Sequence, residues 1–292
     1  MKRLMLFASI CLVCVFSALG AGVAEAALEV VVSIAPQEWL VDRLGGEAVH
    51  SEILVPTGQD PHSFEPKPRQ IAHLAKARLY FTVGLPFEER LREKITGAGM
   101  PLRFIDSAAG ITKIPFTEHG HEDDAGQGEG DDPHVWLSAA NLMIMAGNIA
   151  QALAAADPEK AGLYTANFKR LRQELTTLHD HIAARLKPFA GAAFYVFHPS
   201  FGYFAHDYGL RQQAVEIEGK SPTPKQLQHL IAEARGKGAR VVFSQPQFDP
   251  KSAEAVAQAI GGRVVPLDPL AYNVTENLEL MAAGIAEALS HE

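Results

Sequence analysis

The chain has 292 residues, 47% of them hydrophobic and 21% charged, and carries a net charge of −8. That is enough chain for a packed core in one or two domains. It lacks the basic stripe that nucleic acid or an anionic membrane surface would require, so no nucleic-acid partner is expected. Only two cysteines occur, Cys11 and Cys14.

Met1-Lys2-Arg3 is a short basic start, and Leu4 to Leu19 is an apolar run broken only by Ser9 and Ser17. Ala24-Glu25-Ala26 then places small residues at A-x-A spacing. This is the three-part layout of a secretory signal peptide over residues 1–27, cleaved near Ala26 or Ala27. A run of about 16 residues falls short of the ~20 that a spanning helix needs, which makes a retained anchor the weaker reading. Neither cysteine sits behind a small residue at the end of the run, as a lipoprotein would need. Both cysteines leave with the signal, so any metal bound by the exported chain is held through imidazole and carboxylate.

The mature chain alternates strand and helix patterns. Leu28–Ala35 reads as a buried strand, Gln37–Leu44 as an amphipathic helix and Ser51–Val55 as a strand before the turn Pro56-Thr57-Gly58. Pro68–Ala77 reads as helix, Arg78–Val83 and Leu102–Asp106 as strands. His119–Asp132 (HGHEDDAGQGEGDD) is polar and rich in Gly, Asp and Glu, and predicts a solvated, mobile loop. A helix begins at Ser138. Asp157-Pro158-Glu159 supplies an N-cap, a proline at the first helical position and an early acid. From there Phe168, Leu171, Leu175, Leu178, Ile182 and Leu186 form one apolar face that runs until Pro188. A helix that long can cross the molecule and connect two domains. Further strands are expected at Ala193–Phe197, Gln213–Ile217, Ala239–Ser244 and Arg263–Leu267. Helices are expected to start near Thr223-Pro224, Asp249-Pro250 and Thr275.

The pattern is an α/β fold with two lobes of parallel sheet flanked by helices and joined by one long backbone helix. The boundaries expected are an N-terminal lobe over 28–156 with an acidic, His-containing loop at 117–132, a linking helix over 157–187, and a C-terminal lobe over 188–292.

Twelve histidines occur. His50, His73, His179, His181, His206, His229 and His291 lie on strand edges, helix faces or the chain end, where a solvated or satisfied side chain is expected. Three others share a different context. His62 follows a strand in Gln59-Asp60-Pro61-His62-Ser63-Phe64-Glu65-Pro66. His134 precedes a helix in Asp132-Pro133-His134-Val135-Trp136-Leu137. His198 ends the strand Phe194–Phe197. Asp268, in Pro266-Leu267-Asp268-Pro269-Leu270, also stands at a strand end. Ligands of open parallel sheets bind outside the carboxyl ends of the strands. Two of the four come from each half, so they can meet only between lobes. Pro61 and Pro133 fix φ just ahead of two histidines and preorganise those loops. Three imidazoles and one carboxylate suit tetrahedral Zn²⁺, and Mn²⁺ or Fe²⁺ also accept such a set.

The stretches GQDPHSFEP, DPHVWL, FHPSFGYF, FSQPQF and LDPL occur in that order. Together they resemble the cluster A-I family of metal-specific solute-binding proteins of ABC transporters, which includes ZnuA-like zinc binders and manganese/iron binders. The resemblance runs from about Leu28 to the last helix. It implies two α/β lobes joined by a backbone helix, with a metal between them on His62, His134, His198 and Asp268. A histidine at the third position resembles the zinc-type members. The pair His119 and His121 resembles a short form of the His-rich acidic loop of zinc members, with auxiliary loop metal contacts implied there. The chain departs from the family in lacking the C-lobe cysteine pair of some members and in placing Gln245 where many relatives have an acid, so Gln245 is given no ligand role.

The function implied is capture of Zn²⁺ outside the cytoplasm, in the periplasm, and delivery by a monomer to the membrane permease of an ABC transporter. Affinity is expected to fall as the histidines protonate near about 6.5. A manganese or iron binder of the same family is the nearer alternative, and an adhesin role has no apolar surface stripe behind it. A secreted zinc hydrolase is the alternative from another class, with Glu65 or Glu218 as its base. No H-E-x-x-H helix is present to support it, and Glu65 and Glu218 fit surface or supporting positions better.

Overall fold

A computed structural model describes residues 26–116, 130–216 and 222–290. Residues 1–25 of the segment expected to be a signal peptide, the histidines His119 and His121, Glu218 and His291 lie outside the described residues.

The N-terminal half carries β1 (Leu28–Val32), α1 (Ala35–Gly45), β2 (Val49–Ile53), α2 (Pro68–Leu74), β3 (Leu79–Thr82), α3 (Pro86–Gly97) and β4 (Arg103–Asp106). Its four parallel strands lie in the order β2-β1-β3-β4, with Leu28 opposite Val49 and Val30 opposite Leu79. The C-terminal half repeats the arrangement with β5 (Ala193–Val196), β6 (Arg211–Ala214), β7 (Val241–Ser244) and β8 (Arg263–Pro266) in the order β6-β5-β7-β8, all parallel. Central strands of a parallel sheet are covered on both faces and read as continuous apolar runs. Accordingly β3 (LYFT), β5 (AFYV) and β7 (VVFS) are buried throughout, whereas the edge strands β4 and β8 begin and end exposed. In each sheet the chain steps to one side of its first strand and then crosses to the other. The carboxyl ends of β1 and β3, and of β5 and β7, therefore flank the point where strand order reverses, the place such sheets bind ligands.

Between the sheets run α4 (Ala139–Ala156) and α5 (Ala161–Leu186), and the C-terminal half adds α6 (Gly202–Asp207), α7 (Pro224–Gly236), α8 (Lys251–Ile260) and α9 (Val274–Ser290). Ser138 caps α4, its hydroxyl accepting from Asn141 N at 3.0 Å, and Thr223 with Gln226 forms a reciprocal capping box at α7. Helix α5 packs on α1 and α4 at one end and on α9 at the other, so it spans both lobes as its apolar face predicts. One apolar core runs without a break from β1, through α4 and α5, to the α9 side of the second sheet. A second cluster lies under α7 and α8 on the outer face of that sheet.

Several elements differ from expectation. Helix α5 begins at Ala161, because Pro158–Lys160 forms a separate 3₁₀ turn. Asp157 does not cap it; its carboxylate accepts from the Tyr164 hydroxyl at 2.8 Å and from Lys160 Nζ at 3.2 Å. The inward face starts with Tyr164 and Asn167, and Phe168 is only half-buried. Helix α3 is an additional element. Its apolar stripe is only Phe87, Leu91 and Ile95 within a charged sequence, a narrow signal at four-residue spacing. Strand β6 runs over Arg211–Ala214, starting two residues before the expected Gln213. The end of the polar loop is also ordered. Pro115 and Asp131 form an antiparallel bridge, Asp132 N donates to Ile114 O at 2.9 Å, and Asp132 is buried rather than solvated.

Candidate metal centre

Each of the three singled-out histidines is placed by a short local device. His62 lies in the loop between β2 and α2, where Asp60 shapes the turn by accepting from His62 N at 2.9 Å and Ser63 Oγ at 2.8 Å. His134 stands ahead of the 3₁₀ turn Val135–Leu137 that leads into α4, and its N–H donates to Asp132 Oδ1 at 2.9 Å. His198 lies just beyond β5, with its backbone clamped by one side chain. Gln245 Oε1 accepts from His198 N at 3.1 Å, and Gln245 Nε2 donates to His198 O at 2.7 Å. Such Asx turns and side-chain clamps hold loops that carry no ladder bonds of their own.

These devices bring the three rings together between the lobes. One nitrogen of each histidine lies within 4.8 Å of a nitrogen of the other two, and the ring centroids are 5.0, 5.2 and 5.3 Å apart. His62 Nε2 and His134 Nε2 approach to 3.0 Å. The far nitrogens of two rings are held by carboxylates: His134 Nδ1 lies 2.7 Å from Asp132 Oδ1, and His198 Nδ1 lies 3.2 Å from Glu216 Oε2. Asp132 Oδ1 also accepts from His134 N, so it is an acceptor whichever charge its carboxyl carries; with both carboxyl oxygens accepting, each Nδ1 carries the proton and each Nε2 presents its lone pair inward. Among the described residues His198 Nε2 is buried without a hydrogen-bond partner. Phe248 stacks on the His198 ring at 4.8 Å, and Trp136 meets the His134 ring edge-on at 5.3 Å, so the rings sit among apolar walls.

Those walls set the electrostatics. Burial, then the neighbouring His134 and His198 rings, lowers the His62 pKa to about 3. Burial drives His134 well below its ordinary value as well, with His198 adding to the effect. A charged imidazole is costly in a low-dielectric pocket, and costlier beside two others. Both rings therefore stay neutral and ready to coordinate well below the pH of about 6.5 expected for exposed histidines. Burial also pushes the Asp132 carboxyl up, to about 7, against the pull of the His134 N–H.

Asp268 stands just past β8, but its carboxylate is not one of the groups that converge. Its Oδ1 accepts from Gln247 Nε2 at 2.7 Å and from Leu270 N at 2.9 Å. It lines a small cavity beside the histidine cavity, and the two share Gln247 and Leu270. Glu65 is exposed. Of the histidines expected to be ordinary, His50 pairs with Glu29 at 2.8 Å, His73 with Glu52 at 2.8 Å and His181 with Glu279 at 2.6 Å. Sequence reasoning missed Asp132, Glu216, Phe248 and Gln247. Asp132 had a readable signal, an acid two residues before a loop histidine. Glu216 had only its place at the end of a strand.

The family described as zinc-uptake complex component A, periplasmic (ZnuA), matches residues 30–289. A high-affinity zinc uptake system protein ZnuA of Paracoccus denitrificans is 31% identical over 294 residues, covering 86% of this chain and 87% of that protein. A putative metal-binding protein of Treponema pallidum is 30% identical over 260 residues, covering 86% and 82%. A crystal structure of ZnuA superposes with a TM-score of 0.83 at 40% identity, covering 90% of this chain and 99% of that one.

Proposed function

The chain belongs to the ZnuA family of periplasmic zinc-uptake components, and from that premise we propose that His62, His134 and His198 take one Zn²⁺ between the lobes for delivery to an ABC permease. It is an extracytoplasmic solute-binding protein of zinc uptake, and the segment 1–27 is the signal that exports it. The observation that carries the site is the convergence of three imidazoles whose free nitrogens face one another. Neutral nitrogen donors without a thiolate suit a borderline cation such as Zn²⁺ better than Mn²⁺, which favours oxygen. Asp268 supplies the fourth donor by exchanging its bond from Gln247 for the metal.

The chemistry is capture rather than catalysis. Asp132 and Glu216 bond to the back nitrogens of His134 and His198, and Asp60, which lines the same cavity, accepts from His62 N and Ser63 Oγ, so each of the three carboxylates is engaged in holding the histidine loops and rings. His62 Nε2 and His134 Nε2 lie 3.0 Å apart, so a metal held by both lone pairs takes His62 in the tautomer that carries its proton on Nδ1.

Calorimetric titration of the exported protein with Zn²⁺ tests the reading. One ion per chain is expected, with at least about tenfold weaker binding in His62→Ala and in Asp268→Ala, and no loss of the folded transition. Unchanged affinity in His62→Ala would reject the site, and unchanged affinity in Asp268→Ala would remove the aspartate from it.

A further inference from the structure

Asp132, which orients His134 from within the N-terminal half, is itself held from the other half of the molecule. Tyr203 on α6 is buried, and its hydroxyl donates to the Asp132 carbonyl at 3.0 Å while accepting from Ile114 N at 3.3 Å. These two partners are also bonded to each other, since Asp132 N donates to Ile114 O at 2.9 Å. The adjacent Gly202 presses on the same aspartate: a Cβ placed there would stand 2.4 Å from Asp132 Oδ2. One oxygen of Asp132 thus serves His134, at 2.7 Å from Nδ1, and the other rests against a position that accommodates no side chain.

We propose that Tyr203 is a positioning residue for metal capture, fixing Asp132 across the lobe interface and through it the orientation and tautomer of His134. This rests on the reading that His134 is a metal ligand. A hydroxyl that only tied the lobes together would bond to any convenient backbone group. This one bonds to the residue whose carboxylate holds a ligand, and the missing side chain of Gly202 leaves the room that the other oxygen of that carboxylate occupies. Partners that orient a ligating histidine contribute to metal affinity nearly as the ligand does. The arrangement also gives metal release a structural handle. Movement of α6 away from the N-terminal half withdraws the hydroxyl, frees Asp132 and loosens His134, so zinc should leave faster when the tie is cut.

The test is a double-mutant cycle on zinc affinity, measured by competition with a chromogenic chelator, with Co²⁺ absorption as a second readout. Tyr203→Phe is expected to weaken Zn²⁺ by about tenfold, to speed its dissociation and to shift the Co²⁺ visible bands. In an Asp132→Ala background the same change should cost less than about twofold, because the side chain that relays it is gone. Gly202→Ala keeps the hydroxyl, drives a methyl onto Asp132 Oδ2 and should show the same pattern, so it carries the cycle if Tyr203→Phe does not fold. Equal losses in both backgrounds with unshifted Co²⁺ bands would mean a structural tie only and would overturn the proposal, as would unchanged affinity in both variants. His134→Ala separates the two readings. If it binds zinc like the wild type, the histidine site itself fails; if it loses zinc while Tyr203→Phe and Gly202→Ala do not, only the positioning role fails.

Discussion

At the scale of single residues, the site works by keeping imidazoles neutral and aimed. Glu216 is the less closely coupled of the two orienting carboxylates, at 3.2 Å from its histidine against 2.7 Å for Asp132. Glu216→Gln should still weaken zinc by about tenfold, because an amide can present its NH₂ and reverse the His198 tautomer; a chelator competition that gives wild-type affinity would exclude that role. The buried rings also make the metal-free fold acid-sensitive. His62 sits at about 3 when folded, below its ordinary 6.5. Between those values the unfolded chain binds a proton there that the folded chain does not. Stability is therefore intact above about 6.5 and is lost as pH falls toward the folded value, by up to about 1.4 kcal/mol per pH unit for this one group. His62→Gln removes the titration, so the melting temperature of its metal-free form should decline less steeply than that of the wild type between about pH 6.5 and about pH 4. Parallel declines would show that the His62 ring does not carry the effect.

At the scale of elements, α5 matters more than its length suggests, because one face serves both lobes. Leu175 in its middle is fully buried, within the core that runs from β1 to α9. Leu175→Ala should cost about 2–5 kcal/mol in denaturant unfolding, and both lobes should melt together. Two separated transitions would show that the lobes fold independently and that α5 only tethers them. The helix was legible in advance because its apolar residues, from Phe168 to Leu186, recur over about five turns, long enough for the period to emerge from noise. Helix α6 was not: it has six residues, and Tyr203, Phe204 and Ala205 are buried in succession, so no polar face marks it as a helix. The start of α5 failed for a different reason. Asp-Pro-Glu is a good opening signal, but Asp157 found a better use in accepting from Tyr164 and Lys160.

At the scale of the molecule, the lobes are tied around the cleft rather than hinged freely. Trp136 Nε1 donates to Pro269 O at 2.7 Å, Ser138 Oγ donates to Asp207, and Tyr272 OH donates to Asp42 Oδ2 at 2.6 Å. With a continuous core beneath these bonds, zinc should stabilise the whole molecule in one transition. At a free zinc concentration about 100 times Kd the gain is about 2.7 kcal/mol. Calorimetric melting should therefore rise by roughly 5–10 °C, in a single peak. A zinc-dependent shift confined to part of the transition would contradict that coupling.

What the sequence determined by itself was whatever is written locally or periodically: the alternation of strand and helix, the long apolar face of α5, and three loop histidines at strand or helix boundaries. Order of motifs was enough to resemble one family. The repeat of strand order between the two sheets was not legible, because a sheet order is a set of long-range pairings and the two halves share no short-period pattern. The supporting shell was hidden for the same reason. Glu216 and Gln245 meet His198 only after parallel strands align, and Tyr203 reaches Asp132 only after the lobes close on each other. Only the tertiary structure decided which carboxylates stand behind the histidines, and it placed Asp268 on Gln247 and Leu270 beside them. Ligand type follows from side-chain chemistry, which the sequence spells out; ligand aim follows from hydrogen bonds between distant segments, which exist only in the packed fold.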